Sequence, residues 1–198
     1  MTEWEKLQNG QMYNDFDDDL FQRRVAAKKL FRAYNRTEDE DVELRKSIMK
    51  ELFKKLGENV WIEPDFRCEF GRNITIDDNV YINFGCVILD CADVFIGANT
   101  LLGPNVGIYP VNHAIDAQER INGGCCAKPV HIGRNVWFGG DVKVLAGVTI
   151  GDNTVIGTGS IVTKDIPANV IAVGNPCKVL RQITDADKTE YSEILERI

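Results

Sequence analysis

The sequence predicts a mainly β protein, a parallel β-helix with helical caps, on three observations. Between residues 76 and 167 a large apolar residue returns every six places: Ile76, Ile82 and Ile88, then Ile96, Leu102 and Ile108, then Ile132, Phe138, Val144, Ile150, Ile156 and Val162. A small or β-branched residue often stands four places later, as at Val80, Val106, Val136, Val142, Val148, Thr154 and Ser160. Glycine, aspartate and asparagine crowd the places between. A helix repeats at about 3.6 residues and a half-buried strand at two, so neither explains a step of six. A flat-sided coil does, with one short strand per hexad, a corner after each, and three hexads to a turn.

The elements follow in order. Residues 1–57 predict a helical cap. A short helix over 2–7 opens on a Thr2 cap. Leu20, Phe21, Val25, Ala26, Leu30, Phe31 and Tyr34 lie at helical spacing behind acids at 17–19, which suit the positive end of a helix dipole. Val42, Leu44, Ile48, Leu52, Phe53 and Leu56 form a third helical pattern that stops at Gly57. Helices this short are marginal alone, so they are expected to pack on the coil.

Residues 58–183 predict the coil itself. Val60, Ile62 and Phe66 suggest an irregular opening rung over 58–75. The step from Ile88 to Ile96 is eight residues, an insertion near 90–93. Between Ile108 and Ile132 the hexads lapse, and the polar stretch 112–129, with His113 and Gly123-Gly124, reads as a protruding loop. Loops carry function more often than the scaffold they leave. Residues 184–198 read as a C-terminal helix, with Thr184 as its cap and Asp187 three places on.

In such a coil the first hexad position points inward, and burial of each large side chain contributes roughly 1.5–3 kcal/mol. Glycine at the second position (Gly97, Gly103, Gly133, Gly139, Gly151, Gly157) and asparagine at the fourth (Asn79, Asn99, Asn105, Asn135, Asn153) are expected to tolerate corner geometry, including positive φ. Flat faces suit side-by-side assembly, and a homotrimer is expected, although periodicity does not count subunits.

Composition narrows the function. The net charge is −7, from 30 acids and 23 bases, which argues against a nucleic-acid binder needing a basic face. No run reaches the length of a membrane span. The acidic start predicts no export leader, and hence a cytoplasmic protein with reduced thiols. The six cysteines form no C-x-x-C pair, and with only two histidines no metal site is expected. The adjacent Cys125 and Cys126 leave a vicinal disulfide formally open.

Four segments carry a resemblance. The run GDNTVIGTGSIVTKDIP at 151–167, the segment GNPCKVLR at 174–181, and the N-terminal stretches EKLQNGQMY at 5–13 and GENVWIEP at 57–64 resemble the maltose and galactoside O-acetyltransferases. The likeness spans nearly the whole chain in the same order. It implies a left-handed coil, against the usual right-handed crossover. It also implies a homotrimer with active sites between subunits, acetyl-CoA as donor and a sugar as acceptor, with no metal.

The resemblance also assigns roles. His113 matches the general base; from the residues alone, catalysis and a surface loop position stand equally open for it. An imidazole, with an ordinary pKa of about 6.5, suits removal of a hydroxyl proton. Asp15, Glu69 and Asn83 match acceptor positions, and Asp90, Cys91 and Cys125 fall beside them. Cys91 stands where the galactoside pattern has Asp, Cys125 replaces a Met, and Glu69 replaces a Ser. These departures put galactoside specificity in question while leaving acetyl transfer intact. Gly103, Gly140, Thr158, Thr163, Lys164, Lys178 and Arg181 match the CoA groove, the basic ones facing phosphate. A covalent route is disfavoured, because no cysteine matches a family nucleophile. A different acceptor, such as an amino sugar, and a non-catalytic assembly protein are the alternatives. The second would lack the loop histidine or the basic C-terminal segment, and this chain has both.

Overall fold

The computed structural model describes residues 1–191. Short strands stack into three parallel faces of a coil. The first face runs from Lys55–Leu56 through Ile74–Ile76, Val94–Ile96 and Val130–Ile132 to Thr149–Ile150. The second runs from Trp61–Ile62 through Tyr81–Ile82, Leu101–Leu102, Trp137–Phe138 and Val155–Ile156 to Val170–Val173. The third holds Arg67–Cys68, Val87–Ile88, Gly107–Tyr109, Lys143–Leu145 and Ile161–Val162.

Register makes the hexads into columns. Ile76 pairs with Ile96, Ile96 with Ile132, and Ile132 with Ile150. The other faces repeat this through Ile82, Leu102, Phe138 and Ile156, and through Ile88, Ile108, Val144 and Val162. All of these side chains are at most 3% exposed, which is the expected β-helix. The corner residues Thr100, Thr154 and Ser160 are also buried, and each hydroxyl donates to a corner carbonyl, as Thr154 does to Pro167 at 2.8 Å.

The corners divide the labour expected of glycine and asparagine. At the corner between the first and second faces Asn59, Asn79, Asn99, Asn135, Asn153 and Asn169 all adopt φ between 56° and 61°. Their amides form one continuous ladder, each donating to the next at 2.8–3.1 Å. The second-position glycines do not take positive φ. They are needed for close approach: a Cβ on Gly103 would lie 2.8 Å from the backbone of the next turn.

The cap comprises α1 (Glu3–Gln8), α2 (Asp18–Tyr34) and α3 (Val42–Leu52). Thr2 and Glu5 close a capping box on α1, and Asp17 caps α2. The third helix ends at Leu52, short of the expected Gly57. Phe53 turns down onto Phe66, ring centroids 5.7 Å apart, and Lys55–Leu56 is already a coil strand. The opening rung is accordingly regular. At the far end Lys178–Gln182 returns antiparallel to Val170–Val173. Thr184 and Asp187 form their capping box on a 3-10 turn over Asp185–Asp187. The rest of the expected C-terminal helix, 192–198, lies outside the described residues.

Candidate active site

Three successive turns depart from the hexad at the same corner, where the third face gives way to the first: residues 69–73, 89–93 and 110–129. The last is the protruding segment. It is a hairpin, Val111–His113 antiparallel to Gly124–Ala127, with a short helix α4 (Ala117–Ile121) between. Asp116 caps α4, and Arg120 holds the Ala114 and Ile115 carbonyls at 2.8–2.9 Å. Tyr13–Asn14 from the cap pairs with the hairpin's other edge.

Register then sets three side chains abreast, His113 opposite Cys125 and Cys125 opposite Tyr13. The Cys125 Sγ lies 3.1 Å from His113 Nδ1. The imidazole is exposed, and its Nε2 has no hydrogen-bond partner among the described residues. His131, the other histidine, stacks on Phe95 at 4.7 Å as a surface pair.

Beside this row stand Asp15 and Glu69, both partly exposed and both bound by the Arg24 guanidinium. Arg24 also donates to the Asp15 carbonyl at 2.9 Å. Burial pulls the Arg24 pKa down, but the two carboxylates outweigh it and hold the group above its ordinary value. Sequence reasoning missed Arg24. Its signal was position: it falls at helical spacing with the buried Leu20, Ala27 and Phe31, where a charge requires a partner.

The other residues of the acceptor set sit deeper. Asp90 is fully enclosed, and its oxygens accept from the backbone N–H groups of Glu69, Phe70 and Asn73 at 2.8–3.2 Å. In this chain it supports the Glu69 corner from behind. Cys91 and Cys125 are likewise buried, against the Tyr13 hydroxyl. Burial pushes the Cys125 thiol up to about 11. All six cysteines are free thiols.

Asn83, Gly103, Gly140 and Thr158 occupy a different corner, between the second and third faces. The Asn83 N–H donates to Leu102 at 3.0 Å and the Gly103 N–H to Phe138 at 2.9 Å, so they stack on successive turns. A Cβ on Gly103 would come within 2.8 Å of the Gly140 nitrogen, and one on Gly139 within 2.5 Å of Thr158 Oγ1. Thr163 and Lys164 follow the last strand of the third face. Lys178 and Arg181 lie on the return strand, with Arg181 gripping Asp187 through two bonds of 2.6–2.8 Å. Lys164 and Lys178 make no ion pair among the described residues.

Known proteins resemble this chain in sequence and fold. Residues 6–57 match the maltose acetyltransferase hexapeptide capping motif, and residues 129–164 match the bacterial transferase hexapeptide in six repeats. The galactoside O-acetyltransferase of Escherichia coli is 44% identical over 187 residues, 94% of this chain and 92% of that protein. This chain belongs to the maltose and galactoside O-acetyltransferase family. The crystal structure of a maltose O-acetyltransferase from Clostridium difficile 630 superposes with a TM-score of 0.91 at 46% identity, covering 93% of this chain and 99% of that one. A galactoside acetyltransferase in complex with coenzyme A gives 0.91 at 44% identity, covering 96% of each chain. The family's capping motif contains Tyr13, Asp15 and Arg24, so in this member the cap builds one wall of the candidate site. No cluster of His, Cys, Asp and Glu among the described residues could hold a metal ion.

Proposed function

We propose that this chain transfers the acetyl group of acetyl-CoA to a hydroxyl of a sugar, with His113 as general base. The observation that supports it is the pose of His113: Nδ1 engaged by Cys125, Nε2 bare, and the Asp15 and Glu69 carboxylates alongside. Carboxylates that still have open lone pairs accept from sugar hydroxyls. As the acceptor oxygen attacks the thioester carbonyl, its proton passes to Nε2 of His113. The tetrahedral adduct then collapses, the C–S bond breaks, and the sulfur takes the proton back from the imidazolium. Asn83 belongs to the acceptor set, Gly103, Gly140, Thr158 and Thr163 to the groove for the pantetheine arm, and Lys164, Lys178 and Arg181 to the phosphates. Arg181 would exchange Asp187 for a phosphate, since both present paired oxygens to the guanidinium fork.

The same reading calls for a homotrimer. The histidine corner and the Asn83–Gly103 corner lie at opposite edges of the third face, so one protomer holds half-sites apart. A neighbour's corner set against its own would complete each site. An outward apolar column on the second face supports such contact: Trp61, Tyr81, Leu101 and Trp137 stand in register, with Leu101 46% and Trp137 56% exposed. A cytoplasmic location is part of the proposal. No described helix is long and apolar enough to cross a membrane.

The test is release of CoA thiol from acetyl-CoA with maltose, glucose, galactosides and amino sugars as acceptors. His113→Ala is expected to lower kcat at least about a hundredfold, the usual scale of general base catalysis, with its oligomeric state unchanged by light scattering. Turnover like the parent's would remove His113 from the role. Acceptance of amines alone would move the acceptor class away from sugar hydroxyls.

A further inference from the structure

We infer that Cys125 sets the working tautomer of His113, through a buried relay from His113 to Cys125 to Tyr13 that keeps the ring proton on Nδ1. This rests on His113 being the base, as proposed above.

The three residues sit directly opposite one another on adjacent antiparallel strands, where facing side chains touch. Cys125 is 1% exposed and Tyr13 2%, so the relay is closed to water behind the exposed imidazole. The Sγ to Nδ1 separation of 3.1 Å makes a hydrogen bond, but not its direction. Two arrangements are open. If the thiol donates to Nδ1, the neutral ring carries its proton on Nε2 and has no lone pair there for a hydroxyl. If Nδ1–H donates to sulfur, Nε2 is free to act.

The second arrangement needs somewhere for the thiol proton. Cys125 keeps that proton at neutral pH, because burial raises its pKa. The Tyr13 hydroxyl supplies the place. It is buried beside both the Cys125 and Cys91 sulfurs and, as placed, forms no hydrogen bond of ordinary geometry. An unmatched buried hydroxyl is unfavourable, and its proton is free to rotate. Accepting from Cys125 and turning its own proton toward Cys91 satisfies it. The chain then has one sense: His113 Nδ1–H to Cys125, Cys125 S–H to the Tyr13 oxygen, and Tyr13 O–H to Cys91. The hairpin contributes His113 and Cys125, the cap Tyr13 and the inserted corner Cys91. Cys125 and Tyr13 are thus positioning residues, acting through His113 without touching the acceptor.

Nitrogen-15 NMR of the two imidazoles reads the tautomer directly, with His113→Ala assigning the signals. The parent is expected to show the neutral His113 protonated at Nδ1. In Cys125→Ala the population should move toward Nε2–H, and kcat should fall about two- to tenfold, the scale of one hydrogen bond, with little change in KM for acetyl-CoA. Cys125→Ser, which still accepts and donates, should restore both. Tyr13→Phe should reproduce the loss, with Tm holding or falling slightly, since the two weak thiol hydrogen bonds of the hydroxyl are lost. A parent ring protonated at Nε2, or an unchanged tautomer in Cys125→Ala, overturns the relay. An active His113→Ala overturns instead the assignment of the base, and leaves the NMR result to stand alone.

Discussion

Asp90 is a carboxylate with no exposed surface and no basic partner among the described residues. Backbone N–H groups of Glu69, Phe70 and Asn73 point at it, and Gln8 of α1 ties in through the Asn73 side chain at 2.8 Å. Burial pushes its pKa from 3.8 up to about 7, against the pull of those N–H groups. A raised acid holds its proton in the folded state after the unfolded chain has released it. Its contribution to stability therefore falls as pH rises from about 4 to about 7, and levels beyond. Asp90→Asn imitates the protonated form at every pH. Thermal unfolding of the two proteins should show the parent's advantage shrinking across that window, at up to about 1.4 kcal/mol per pH unit. Parallel curves would mean that Asp90 ionises normally. The sequence did not reveal this inward role. The two-residue insertion breaks the hexad register, and outside a register nothing says which of Asp90 and Cys91 turns inward.

At the scale of the element, the asparagine ladder links every turn of the coil. Asn135 sits at φ 58° and bonds both neighbours, accepting from Asn99 at 3.0 Å and donating to Asn153 at 2.8 Å. Alanine would lose both bonds and strain the left-handed backbone, at a cost of about 1–3 kcal/mol. Glycine would lose only the bonds. The expected order of denaturation midpoints is Asn135, then glycine, then alanine; an alanine variant at least as stable as glycine would rule out the corner conformation as the cause. These corners were legible because each hexad repeats the same spatial demand. The end of α3 was not. Phe53 and Leu56 keep helical spacing while serving the coil, and spacing alone does not name the partner that buries a side chain. The site was legible in part. His113, Asp15 and Glu69 came through the family likeness, whereas the Arg24 bridge and the Tyr13 hydroxyl depend on strands and helices meeting far apart in sequence.

For the whole molecule, the proposed trimer would bury the outward side of the second face. Trp137 and Leu101 stand side by side on it in register, both exposed, and form the centre of the proposed contact. Trp137→Glu places a charge there and leaves the inner columns untouched. Light scattering is expected to show monomers, with circular dichroism retained and acetyl transfer falling at least tenfold, as half-sites part. A Trp137→Glu protein that remains trimeric and active would move the interface elsewhere.

The returning strand at the far end has a consequence for length. A stack of parallel rungs has no internal reason to stop, because each rung presents to the next the edge it received. Lys178–Gln182 reverses direction and shows the solvent a short border bearing Lys178 and Arg181, features that discourage pairing. Cut away at residue 177, Val170–Val173 would be left as a bare template on which a second such chain would pair edge to edge, while the cap, whose Tyr34 and Asn35 already occupy the first rung's backbone, would halt growth at the other end.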